Sequence, residues 1–108
     1  MRQAGYQIKE IIASYKDTLR KLGIGVERVI LYGSFAKGNQ REDSDIDIIV
    51  VSRDFQKMNL RQRIEVLGIA AARIMQPIEA LGYTPREIEV ARPASFIKEI
   101  SKIGFSVE

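Results

Sequence analysis

A chain of 108 residues without cysteine or histidine excludes a disulfide framework, a zinc–thiolate centre, imidazole metal ligation and the Ser-His-Asp and Cys-His triads. Seventeen basic against fourteen acidic side chains give a net charge of +3, compatible with a triphosphate or an RNA but too small to argue for either. Any metal chemistry must run on carboxylates, which favour hard cations such as Mg2+ or Mn2+.

The length suits a single domain over residues 1–108, able to bury roughly two-thirds of its unfolded surface. No apolar run reaches the ~18 residues of a membrane span. The opening MRQAGYQIKE lacks the hydrophobic segment of a secretion signal, so a soluble, cytoplasmic protein is expected.

Ile8, Ile11, Ile12, Tyr15, Leu19 and Leu22 recur at helical spacing and predict an amphipathic helix over residues 3–22, stopped by Gly23 and Gly25. Val26 to Tyr32 is a predicted central strand, on the unbroken run Val29-Ile30-Leu31-Tyr32. Gly33 ends it, Ser34 to Lys37 read as a short helix closed by Gly38 and Asn39, and Gln40 to Ser44 as a charged loop. Asp45 to Ser52 is a second strand, followed by a loop over Arg53 to Asn59.

Leu60, Ile64, Leu67, Ala71 and Ile74 then predict a helix with those residues on its packing face, ending near Met75 ahead of Gln76-Pro77. Ile78 to Tyr83 is a third strand containing Glu79. Thr84-Pro85-Arg86-Glu87 has the form of a capping box, with proline at the first helical position. A last helix places Phe96, Ile97, Ile100 and Ile103 on one face. The order implies an α/β (α+β) domain, a small mixed sheet with helices on at least one face.

Asp45 and Asp47 are two apart, so on a strand both side chains leave the same face, with Cα atoms roughly 7 Å apart. Ile46 and Ile48 then point the other way. Two bare carboxylates on one face repel unless a cation lies between them, and strands disfavour Asp, so the sequence breaks a local rule twice here. The plain alternative makes Asp45 a loop cap and Asp47 a solvated surface acid. Upstream, Gly33-Ser34 follows a buried strand and precedes a helical start, where unpaired N–H groups and the Ser34 hydroxyl suit phosphate oxygens. Lys37 or Arg41 could add a cation there.

Gly33-Ser34, ten intervening residues, then Asp45-x-Asp47, set in GSFAKG and SDIDIIV, resembles the motif of the DNA polymerase beta-like nucleotidyltransferase superfamily. Residues 5 to 105 resemble its minimal, stand-alone members. The resemblance implies a small mixed β-sheet flanked by helices and a third carboxylate from a later strand. In Pro77-Ile78-Glu79-Ala80-Leu81-Gly82-Tyr83-Thr84-Pro85 that acid is Glu79, where much of the superfamily has Asp. Glu89 ranks behind it, and Glu87 is better explained by the capping box.

The resemblance further implies that Asp45, Asp47 and Glu79 hold two Mg2+ ions, with Mn2+ an alternative. Gly33 and Ser34, helped by Lys37 and Arg41, would grip the phosphates of a nucleoside triphosphate, ATP favoured. The chain has no room for the helical domain with which larger members hold nucleic acid, so a nucleic-acid acceptor would require a partner subunit. Minimal members resembling this one pair with small helical HEPN-type toxins as antitoxins and transfer AMP to a toxin tyrosine. That is the expected function. The competing expectation is a non-catalytic module that neutralises a partner by contact alone.

Overall fold

The computed structural model describes the backbone of residues 4–32, 45–93, 95–103 and 105–107, and the side chains of 8–32, 45–93 and 95–100. Along the chain run α1 (Ala4–Lys21), β1 (Arg28–Tyr32), β2 (Ile46–Val51), a 3-10 helix (Arg53–Lys57), α2 (Leu60–Arg73), β3 (Ile78–Tyr83), α3 (Pro85–Glu89), α4 (Phe96–Ile103) and β4 (Phe105–Val107). The four strands form one mixed sheet in the order β3-β2-β1-β4. β2 pairs antiparallel to β1 and parallel to β3.

The alternation along β2 divides the core in two. Ile46, Ile48 and Val50 face one way and join Val29 and Leu31 of β1 under Ile12, Tyr15 and Leu19 of α1 and Leu67, Ala70 and Ala71 of α2. Ile49 and Val51 face the other way, with Ile30 of β1, beneath Ile97 and Ile100 of α4. This second face is covered over Ile49 and Val51; its other end carries Asp45 and Asp47, neither of them buried.

Local chemistry sets most boundaries. Asn59 caps α2 through a reciprocal box with Gln62, and Thr84 caps α3 in the same way with Glu87. The expected loop after β2 is instead a 3-10 turn capped by Ser52, whose hydroxyl accepts from Asp54 N and donates to the Gly25 carbonyl at 2.7 Å. The Ser52 hydroxyl thus meets a free N–H at the start of the turn and ties the turn back to Gly25, a choice that apolar spacing does not reveal.

The packing face of α2 needs correction. Leu60 and Ile64, expected inside, are 65% and 52% exposed, and the buried row is Arg63, Leu67, Ala70 and Ala71. Arg63 lies inward because carbonyls surround it: it donates to Met58 O, Phe55 O and Gly82 O and forks onto Glu87. The last helix is corrected likewise, with Ile97 and Ile100 buried but Phe96 53% exposed. The expected helix over Ser34 to Lys37 lies outside the described residues. Among the described residues no helix is long and apolar enough to cross a membrane.

Candidate active site

Register assembles the acids. Asp47 on β2 pairs with Tyr32 on β1 and with Glu79 on β3, so Tyr32, Asp47 and Glu79 stand side by side in one row across the sheet. Alternation places Asp45 on the same face as Asp47. The start of β2 is fixed by the Ile46 N–H, which donates to the Pro77 carbonyl at 2.7 Å, drawing the entry to β3 alongside Asp45. Two acids close in sequence thus meet a third from a strand formed thirty residues later.

Their electrostatics follow from that closeness. Glu79 is exposed, yet its carboxyl titrates above the usual carboxylate range, chiefly because it donates a hydrogen bond to Asp45 and then because the charges of Asp45 and Asp47 oppose its ionisation. Asp47 is raised as well, first by partial burial and then by Asp45, against which a hydrogen bond from Glu79 acts. The Tyr32 phenol is raised by burial and by the charges of Asp47 and Glu79.

Carboxylates crowded on one face mark where a cation would be favoured. The donors are all carboxylate oxygen, which suits a hard divalent ion. Among the described residues no group of three acidic side chains is placed to hold a metal ion. Mg2+ is commonly held by only one or two carboxylates and completed by substrate phosphates and water, and Asp45 and Asp47 on one face of β2 are a pair of that kind.

The structure therefore brings together Asp45, Asp47 and Glu79. Gly33, Ser34, Lys37 and Arg41 lie outside the described residues. Glu87 is engaged elsewhere, its carboxylate accepting from Thr84 N at 2.8 Å and from Arg63 at 2.8 and 3.1 Å. Sequence reading did not single out Tyr32 or Phe96, whose rings meet edge to face at 5.6 Å and 79° beside the acid row. For Tyr32 the signal was present: it ends β1 immediately before Gly33. Phe96 had none, since its place depends on how α4 packs.

Known proteins resemble this chain over most of its length. The family model described as a nucleotidyltransferase domain matches residues 12–104. A Methanocaldococcus jannaschii chain named "Putative protein adenylyltransferase MJ0141" is 30% identical over 102 residues, covering 94% of this chain and 99% of that one. Protein adenylyltransferase MntA of Thermococcus cleftensis is 36% identical over 52 residues, 48% of each chain. Among solved structures, a toxin–antitoxin crystal structure with AMP-PNP superposes with a TM-score of 0.61 at 20% identity, over 91% of this chain and 70% of that one. At that identity the likeness speaks for the fold alone. The chain belongs to the nucleotidyltransferase domain family and is a nucleotidyltransferase.

Proposed function

We propose that this chain, acting as a single catalytic domain, transfers the AMP group of ATP to a hydroxyl of a partner protein. The acceptor we favour is a tyrosine of a small helical HEPN-type toxin, which the modification silences. The observation that carries the chemistry is the carboxylate cluster, with Asp47 and Glu79 in register on neighbouring parallel strands and Asp45 on the same face. The adenylyltransferase names of the relatives support AMP as the transferred group. The toxin–antitoxin neighbour supports a protein acceptor.

In this reading Asp45, Asp47 and Glu79 hold Mg2+, which when bound supplies charge for the triphosphate and lowers the pKa of the attacking hydroxyl. Ser34 and the Gly33-Ser34 backbone, with Lys37 and Arg41, grip the phosphates. The acceptor oxygen forms a bond to the α-phosphorus, the bond from that phosphorus to the α,β-bridging oxygen breaks, and pyrophosphate leaves with the electron pair. The hydroxyl proton passes to Glu79.

The test is labelling of the proteins that co-purify with the chain from its host. With Mg2+, ATP labelled at the α-phosphate marks the acceptor, ATP labelled at the γ-phosphate does not, and Asp47→Asn lowers the rate at least about a hundredfold. Label arriving from the γ-position refutes nucleotidyl transfer. A partner still neutralised by the Asp45→Asn/Asp47→Asn double variant would mean that contact alone suffices.

A further inference from the structure

Beside the acid row the sheet carries a feature that the transfer chemistry leaves unused. Phe96 opens α4 with its ring 53% exposed, although Ile97 and Ile100 of the same helix are buried and hold the helix down. Its ring meets that of Tyr32 edge to face, centroids 5.6 Å apart. Tyr32 in turn is the register partner of Asp47. An exposed aromatic surface thus begins one strand away from the central acid.

The strand order says what would lie on it. Across the row the sequence is Glu79 on β3, Asp47 on β2, Tyr32 on β1. If the acceptor's proton goes to Glu79, the acceptor approaches over β3. In-line attack puts the departing pyrophosphate on the opposite, β1 side, and Ser34, the proposed phosphate grip, follows Tyr32 by two residues. The nucleoside hangs from the α-phosphorus to the side of that line, where Tyr32 and Phe96 offer an exposed aromatic surface beside the acid row. An uncharged, flat base is also suited to a surface beside carboxylates that would repel an anion, and aromatic faces bind bases by stacking.

We infer that Tyr32 and Phe96 form the shelf on which the nucleobase of the triphosphate rests, Phe96 stacking on the base and Tyr32 bracing Phe96. This rests on the nucleotidyl-transfer reading above. Stacking accepts any base, because each has a π face, so the shelf sets nucleotide affinity and leaves base choice to other contacts.

The test uses the whole chain and two probes in the presence of Mg2+: α,β-methylene-ATP, which cannot transfer its AMP group, and inorganic tripolyphosphate, which has no base. Calorimetric titration of Phe96→Ala should show roughly 5- to 150-fold weaker binding of the nucleotide. Tripolyphosphate affinity should be unchanged, which also reports an intact fold. Phe96→Leu, apolar but without a π face, should remain weak, and Phe96→Trp should recover wild-type affinity. Unchanged nucleotide affinity in Phe96→Ala overturns the shelf, as does an equal loss for both probes. A raised KM for the protein acceptor with nucleotide affinity intact would give the ring to the acceptor and overturns it too. If the wild-type chain binds neither probe, the nucleotidyl-transfer reading itself falls, and the shelf with it.

Discussion

Arg63→Met removes the clamp that holds β3, and with it Glu79, against the rest of the sheet. Arg63 is only 8% exposed and spends its donors on three backbone carbonyls: Met58 O at 3.1 Å, Phe55 O at 2.8 Å and Gly82 O at 3.1 Å. It also forks onto both oxygens of Glu87 and lies 5.6 Å from the centre of the Phe55 ring. Methionine keeps the stem but leaves the carbonyls unanswered, at about 0.5–1.5 kcal/mol each. The ion pair adds about 1 kcal/mol at most, because the Glu87 side chain is 42% exposed and can turn to water. The expected loss is about 2–5 kcal/mol, a large share of the 5–15 kcal/mol typical of a domain. In thermal unfolding that is a midpoint roughly 8–25 °C lower. Arg63→Lys, which keeps the charge but not the planar fork, should recover less than half of it.

The same variant has a signature in pH. The Glu87 carboxyl is held below the usual range chiefly by its hydrogen bond from Arg63. A depressed folded-state pKa contributes stability that is present above the unfolded value and lost as pH falls through the folded one. Arg63→Met should therefore flatten the acid limb of the stability profile below the ordinary glutamate range. A loss of no more than about 0.5 kcal/mol, as for an ordinary surface change, would refute the clamp.

Two further outcomes follow from the site and its support. Glu79 and Asp47 titrate above their ordinary values, so in the folded chain these two groups hold protons more tightly than in the unfolded one; without metal, their contribution to stability is present at acid pH and lost as pH rises through the raised values. Glu79→Gln should flatten that fall and reduce the gain in melting temperature on adding Mg2+; superimposable profiles for variant and wild type would contradict the cluster. Gly82→Ala places a Cβ 2.9 Å from Cε2 and Cζ of the fully buried Phe55, so overpacking of about 1–3 kcal/mol is expected, measured by urea unfolding; a neutral result would mean that the ring moves aside freely.

Much of the frame was legible because its signals are local. β3 spans Ile78–Tyr83, matching the strand read from the sequence, and Thr84 caps α3 through the capping box with Glu87 read there. The period-two pattern of Ile46 and Ile48 against Asp45 and Asp47 already put those isoleucines and the acids on opposite faces of β2; that α1 and α2 cover the isoleucine face came from the packing. α2 was misread for the converse reason. Its sequence offers apolar residues on more than one stripe, and spacing alone does not say that Arg63 will find three carbonyls while Leu60 and Ile64 stay outside.

By itself the sequence determined the two-strand frame around Asp45 and Asp47 and the exclusion of histidine and thiol chemistry. Those follow from residue type and short spacing, which act within a few residues of chain. Only the tertiary structure decided that parallel pairing sets Glu79 level with Asp47, that β4 adds a strand at the β1 edge, and that α4 leaves Phe96 against Tyr32. Each of these depends on contacts between segments far apart in the chain, where register and packing choose among arrangements that local propensity leaves equal.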